Sequence, residues 1–135
     1  MEDCIFCKIV DGKIPAAKVY EDDKVISFLD IMPANKGHCL VVPKNHAQTL
    51  TEMEEEDLIA TVKAAKKVAK ALSLSLGASF NMVMNNGKEA GQLVNHAHIH
   101  IIPRFQKDRL RLKWSHLKYE SDEIKDYADK IKKFI

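Results

Sequence analysis

The stretch NHAHIHIIPR, Asn95 to Arg104, sets three histidines at alternate positions among small and branched apolar residues. Alternate residues of a strand share a face, so the spacing predicts a strand with His96, His98 and His100 on one side. Ala97, Ile99 and Ile101 then turn to the other side, beneath a helix. The rise of a strand separates successive histidines by roughly 6 to 7 Å, so two imidazoles can converge on one metal while three need a bend. Spacing alone leaves three readings: ligands of one metal, parts of one catalytic site, or the polar side of an ordinary strand. The chain has only six histidines, and three of them gather here. Such clustering is costly if they are protonated and tends to mark a site.

The elements around this strand follow from pattern. Val19 to Asp30 reads as a hairpin turned at the acidic Glu21 to Asp23, and Ile31 to Gly37, with Pro33, Asn35 and Gly37, reads as a loop. His38 to Pro43 is a short apolar run ended by proline and predicts a third strand. Thr51-x-x-Glu54 has the form of a capping box, and Leu58, Val62, Ala65, Val68 or Ala69, and Leu72 then recur at helical spacing. Lys63, Lys66, Lys67 and Lys70 fall on the opposite, solvated face, and Gly77 ends the helix. Ser79 to Asn85 alternates as a strand, with Phe80, Met82 and Met84 expected as core filler, paired antiparallel to the histidine strand. Beyond Pro103, a stretch with Arg104, Lys107, Arg109, Arg111, Lys113 and Lys118 against one acid, Asp108, reads as a solvated connector or as a surface for an anion. His116 is expected at the surface. Ile124, Tyr127, Ala128, Ile131 and Ile135 line one side of a C-terminal helix. The expected fold class is α+β: about five mostly antiparallel strands, one long helix and a C-terminal helix.

The 135 residues suit a single domain spanning 1–135, with 46% hydrophobic and 30% charged residues excluding a disordered chain. A net charge of +2 is too small to indicate a nucleic-acid partner, and neither a signal-peptide pattern nor a membrane-length apolar run is present. The expectation is therefore a cytoplasmic protein with no nucleic-acid or membrane partner. Cys39 sits in the apolar run CLVVP and reads as a buried small hydrophobe. Cys4 and Cys7 form a C-x-x-C pair, half of a structural zinc site, and His46 and His96 are the natural partners for the other half. On spacing alone, Cys4 packing quietly and Cys7 lining a pocket stays open.

HAHIHII fits the pattern His-x-His-x-His followed by two apolar residues. CIFCKIVDGKIP, VYEDDKVISFLD, KGHCLVVPKNH, NNGKEAGQLV and IIPR extend the agreement, in order, over residues 4–105. The chain thus resembles the histidine triad family, in the zinc-carrying microbial form close to the nucleoside phosphoramidate hydrolases. The C-terminal extension, 106–135, lies outside the matched region.

The resemblance implies roles residue by residue. His98 matches the histidine that attacks the α-phosphate of a nucleotide, giving a nucleotidyl-histidine that water resolves; a neutral imidazole nitrogen is a competent nucleophile near pH 7. A main-chain carbonyl is implied to hold its other nitrogen. His100 is implied to bind phosphate oxygens or assist proton transfer to the leaving group, and His38 to support the triad by hydrogen bonding. The amide of Gln92 and the backbone around Leu93 and Val94, with Asn85 nearby, are implied to contact phosphate. Asp30 is implied to take the ribose hydroxyls, and Phe6, Ile9, Phe28, Ile31 and Leu40 to bound the base. Cys4, Cys7, His46 and His96 are implied to hold one structural zinc ion, whose filled shell braces the site.

One departure stands out: Leu93 occupies a position where some relatives carry a serine or threonine that touches the phosphate or leaving group. The implied ligand is a purine nucleotide such as AMP, and the implied activity is hydrolysis of nucleoside 5′-phosphoramidates or related nucleotidyl conjugates, mainly adenylates. The alternatives are a dinucleoside polyphosphate hydrolase with the same nucleophile, a nucleotide-binding module with little turnover, and a catalytic zinc held by all three triad histidines. A homodimer continuing the sheet is also implied.

Overall fold

The computed structural model describes residues 3–135. A short helix, α1 (Ile5–Val10), precedes β1 (Lys18–Glu21), β2 (Val25–Leu29) and β3 (Cys39–Pro43). The long helix α2 (Glu55–Leu76), then β4 (Ser79–Val83), β5 (Ile99–Arg104) and α3 (Glu123–Lys132), complete the order. The strands form one sheet in the order β1-β2-β3-β5-β4, and every neighbouring pair is antiparallel. The register sets His100 opposite Leu40 on β3 and Val83 on β4.

Each face of the sheet has its own core. Val25, Cys39, Val41, Ile99 and Ile101 pack against Ala64, Ala65, Val68, Ala69 and Leu72 of α2. Ile26, Phe28, Leu40 and Val42, on the other face, pack against Phe6 and Ile9 of α1. Strand alternation thus commits one side of β5 to the helix and leaves His100 on the side that faces α1.

Several local expectations are corrected. α2 starts at Glu55 with Glu54 as its N-cap and no side-chain cap, so Thr51 and Glu54 form no capping box. Thr51 lies instead in a separate 3₁₀ turn, Leu50–Glu52, which extended Met53 divides from the helix. Val62 is exposed, while Thr61 and Ala64 occupy the buried stripe. Phe80 and Met82 share the α2 side of the edge strand β4, in register with Pro103 and Ile101, but are exposed, so they are not core filler; Met84 does pack against the core. α3 forms as the periodicity predicts but buries none of its residues. None of the described helices is long and apolar enough to cross a membrane.

Two glycines carry backbone that other residues resist. Gly77 ends α2 in the left-handed region, φ 62°. Gly37 has φ +98°, and a Cβ there would meet Leu76 Cδ1 at 2.6 Å, so the turn delivering His38 to β3 passes close under the end of α2.

Candidate active site and metal centre

β5 begins at Ile99, so His96 and His98 precede the strand rather than belong to it. The chain there is held to a different segment: Ala97 N–H donates to the Ala47 carbonyl at 2.7 Å. Off the regular strand, His96 falls in a different cluster of potential ligands from His100.

His96 is fully buried, and its Nε2 lies 2.7 Å from the Pro43 carbonyl. A carbonyl only accepts, so Nε2 carries the proton and Nδ1 presents its lone pair. That lone pair faces Cys4 Sγ at 3.3 Å, Cys7 Sγ at 3.6 Å and His46 Nδ1 at 3.2 Å, and Cys7 Sγ lies 3.4 Å from His46 Nδ1. A tetrahedron with zinc bond lengths of about 2.0–2.3 Å has edges of about 3.3 to 3.8 Å, so these four donors fit one zinc ion. The four side chains come from α1 and its N-cap, the segment after β3, and the segment before β5. Cys4, Cys7, His46 and His96 would hold the ion, and the other two triad histidines, His98 and His100, are absent from this group.

His98 is buried, with Nδ1 2.6 Å from the carbonyl of His96. Nδ1 is therefore the donor, and the Nε2 lone pair has no hydrogen-bond partner among the described residues. The Phe6 ring stands edge-on to the His98 ring, centroids 5.1 Å apart, and limits its rotation. Burial holds His98 below its ordinary pKa, which keeps that lone pair free near neutrality.

His100 lies beside it, ring centroids 4.8 Å apart. Its Nδ1 is 2.9 Å from His38 Nε2, and His38 Nδ1 receives the amide N–H of Ala34 at 3.0 Å. Burial, with His98 and His38 adding to it, lowers the His100 pKa to about 4, and burial lowers that of His38. Asp30 Oδ2 is 3.8 Å from His38 Nε2, and Oδ1 accepts from Met32 N–H at 2.9 Å. Asp30, His38 and His100 form a second group of potential metal ligands. There the Ala34 amide requires His38 to keep its proton on Nε2, the atom a cation would need, which makes the group a poor metal site.

The remaining expected residues divide. Phe6, Ile9, Phe28 and Leu40 are buried in one cluster beneath the histidines, with Val94 packed against it. Ile31 is 91% exposed and stands apart from them in the loop after β2. Asn85 is half-buried just beyond β4. Gln92, expected to touch phosphate, is buried and engaged: its amide nitrogen donates to the Gln48 and Val94 carbonyls at 2.7 and 3.0 Å, and its oxygen accepts from Gly87 N–H at 2.9 Å. Both donor hydrogens are used within the chain, so Gln92 organises the loop rather than offering its amide to a ligand. Leu93, beside it, is 90% exposed and offers no polar side-chain atom.

With this geometry the relatives can be placed. Residues 11–107 match the HIT domain family. The chain belongs to the HIT family. A HIT-like protein of Methanocaldococcus jannaschii is 48% identical over 122 residues, covering 90% of this chain and 95% of its own. The adenosine 5′-monophosphoramidase hnt1 of Schizosaccharomyces pombe is 40% identical over 129 residues, covering 95% of each. Among solved structures, a HIT family member from Bacillus subtilis superposes with a TM-score of 0.93 at 40% identity, over 98% of this chain and 97% of its own. A zinc-bound histidine triad protein of Mycobacterium smegmatis gives 0.78 at 37% identity over 84% of each. The five-stranded antiparallel α+β architecture of this chain is that of the HIT fold.

Reading the sequence misses a second group, around Arg104. Its guanidinium donates from Nε and Nη2 to the two oxygens of Asp108 at 2.8 and 2.9 Å, from Nη2 to the Leu110 carbonyl and from Nη1 to Asn81. Asn35, in the loop that leads to His38, donates to Asp108 at 3.0 Å and to the Pro103 carbonyl at 2.9 Å. Arg104 is thus no free cation for an anionic ligand. Asp108 draws Arg104 and Phe105 from its own segment and Asn35 from a loop 73 residues away, and only this last contact lies beyond the reach of local spacing. His116 is exposed, as expected.

Proposed function

We propose that this HIT protein hydrolyses nucleoside 5′-phosphoramidates or related nucleotidyl conjugates, with adenylates as the main class, through a covalent intermediate on His98. The observation that carries this reading is the 2.6 Å bond from His98 Nδ1 to the His96 carbonyl, which leaves a neutral, unpartnered Nε2 lone pair beside His100. That lone pair forms a bond to the α-phosphorus while the phosphorus–nitrogen bond to the leaving amine breaks. The amine keeps the bonding pair and takes a proton from water. Water then attacks the phosphorus, the bond to Nε2 breaks and its electron pair returns to the ring, and AMP leaves as the second product.

Asp30 takes the ribose hydroxyls in this reading, and the backbone at Leu93 and Val94 meets the phosphate. Phe6, Ile9, Phe28 and Leu40 back the base, with Ile31 at its rim. Cys4, Cys7, His46 and His96 would hold a zinc ion, which would supply a cross-link fixing the His96 backbone and, with four protein donors, would take no part in bond-breaking. Thiols kept as metal ligands suit a reducing cytoplasm. A second copy of the chain completes the molecule as a homodimer, supported by the open edge strand β4 and by the apolar side chains that α3 leaves exposed.

The test is release of amine from a fluorogenic adenosine 5′-phosphoramidate by the wild type and by His98→Asn at matched metal content. The expected result is loss of about 10³-fold or more in turnover with AMP binding retained. Equal cleavage by both proteins overturns the nucleophile assignment. Binding of AMP with no cleavage by either favours the binding-module reading, for which the exposed, hydroxyl-free Leu93 is the supporting observation. Cleavage of dinucleoside polyphosphates in preference to phosphoramidates moves the substrate, not the nucleophile.

A further inference from the structure

The loop from Ala34 to His38 fixes protons as well as side chains. A backbone amide is only a donor, so the Ala34 N–H, 3.0 Å from His38 Nδ1, requires that nitrogen to be bare. In a neutral imidazole the proton is then on Nε2, which lies 2.9 Å from His100 Nδ1. His38 is the donor in that contact and His100 Nδ1 the acceptor, which leaves the His100 proton on its own Nε2. No described residue receives that last proton, which leaves it available to whatever the site binds.

The competing arrangements fail on elementary grounds. A doubly protonated His38 would set an N–H against the Ala34 N–H. Donation in the other direction, from His100 Nδ1 to His38 Nε2, would leave His38 an imidazolate with the Asp30 carboxylate 3.8 Å away.

We propose that the Ala34 amide, acting through His38, locks His100 as a neutral Nε2–H donor to a phosphate oxygen, so that His100 binds and orients phosphate and does not protonate the leaving group. The inference rests on the reading of this site as one that binds a nucleotide phosphate. Neutral imidazole gives up its last proton only to become an imidazolate, and His38 cannot refill it without becoming one itself. Ala34 is a positioning residue through its backbone alone, and its exposed side chain is free to vary. The hydrogen bonds from the neighbouring Asn35 to Asp108 and to the Pro103 carbonyl hold the loop where the amide reaches His38.

Nitrogen-15 NMR of the histidine rings in the full-length, zinc-loaded, nucleotide-free protein reads the tautomers without any turnover. Replacing Ala34 with lactic acid by stop-codon suppression converts its amide to an ester, removing the N–H at almost unchanged shape, and Ala34→Ser keeps it. Wild type and Ala34→Ser are expected to hold His38 and His100 as single Nε2–H tautomers, and the ester to show mixed tautomers on both. A wild-type His100 protonated on Nδ1, or an ester variant with unchanged tautomers, overturns the proposal. In kinetics, His100→Gln keeps an N–H donor but cannot act as an acid; it should stay within about tenfold of wild type, while His100→Ala loses about 10- to 100-fold, the worth of one hydrogen bond to a charged group. A glutamine variant as slow as the alanine variant overturns the donor role. Should the tautomers stand while no protein cleaves a phosphoramidate, the hydrolase reading fails and this one survives, provided AMP affinity drops in His100→Ala and is kept in His100→Gln.

Discussion

The carbonyl of His96 receives the Nδ1 proton of His98 at 2.6 Å, while the His96 ring is itself held by the Pro43 carbonyl and directed at Cys4 and Cys7. One residue thereby joins the metal centre, through its side chain, to the aim of the next histidine, through its backbone. Zinc bound at Cys4, Cys7, His46 and His96 is therefore expected to act on turnover only by holding His96 in place.

Metal exchange separates bracing from catalysis. Stripping zinc should lower Tm by on the order of 10 °C and reduce turnover, with activity restored on adding the ion back; Cys4→Ser should have the same effect without that restoration. Cadmium or cobalt in its place should leave kcat within about threefold, because a filled coordination shell has no position for substrate. A large dependence of kcat on the identity of the metal, measured at full occupancy, would sink the bracing role.

Gln92 ties the loop after β4 to the segments on either side through three hydrogen bonds. Gln92→Ala should destabilise the protein by about 2–4 kcal/mol in urea unfolding, since two carbonyls and an amide lose a partner in a buried site. Gln92→Glu should be no better, because a carboxylate cannot donate to the carbonyls of Gln48 and Val94. Unchanged stability in the alanine variant would return Gln92 to the role of a phosphate contact.

Asp108 carries a signature in pH. The Arg104 guanidinium, and after it the Phe105 N–H, hold its carboxyl well below the ordinary value of 3.8. A folded-state value below the unfolded one means that the unfolded chain binds the proton first, so the stabilisation is complete above about pH 3.8 and is lost as pH falls toward the folded value. The difference in Tm between wild type and Asp108→Asn should be full at pH 6 and clearly smaller at pH 3. A gap that does not change with pH would show that the carboxylate charge is not what matters.

The exposed apolar side chains of Phe80 and Met82 on β4, and of Trp114, Leu117, Ile124, Tyr127 and Ile131 beyond β5, bear on assembly. Sedimentation velocity should find a dimer for the full chain. Removing residues 112–135, which spares Asp108 and Leu110, should weaken it. A monomer at all concentrations for the full chain would rule out the dimer.

Much of this was legible in the sequence, and the reasons differ by residue. The alternation of Ile99, Ile101 and His100 marks opposite faces of β5, and the 3.6-residue recurrence of Ala65, Val68 and Leu72 marks the buried stripe of α2; both are local periodicities that burial enforces. Gly77 ends α2 for an equally local reason, its left-handed backbone. The motif around the histidines marks the family and gathers the candidate ligands.

Tertiary structure decided where each of those residues sits and what it meets. Alternate spacing gives His96, His98 and His100 equal standing, and only the path of the chain before β5 turns His96 to Cys4, Cys7 and His46 while leaving His98 beside His100. The protons were settled by backbone partners as well: for His96 the Pro43 carbonyl, 53 residues away, and for His98 and His38 the nearby His96 carbonyl and Ala34 amide, placed by irregular chain outside the strands. Gln92 and Arg104 likewise found their hydrogen-bond partners within the chain rather than on a ligand. A sequence records the donors and acceptors a chain possesses. Which of them meet, and so which ring nitrogen is left with a lone pair, follows for His96 from contacts between segments tens of residues apart and for His98 and His38 from irregular backbone, and no local periodicity encodes either.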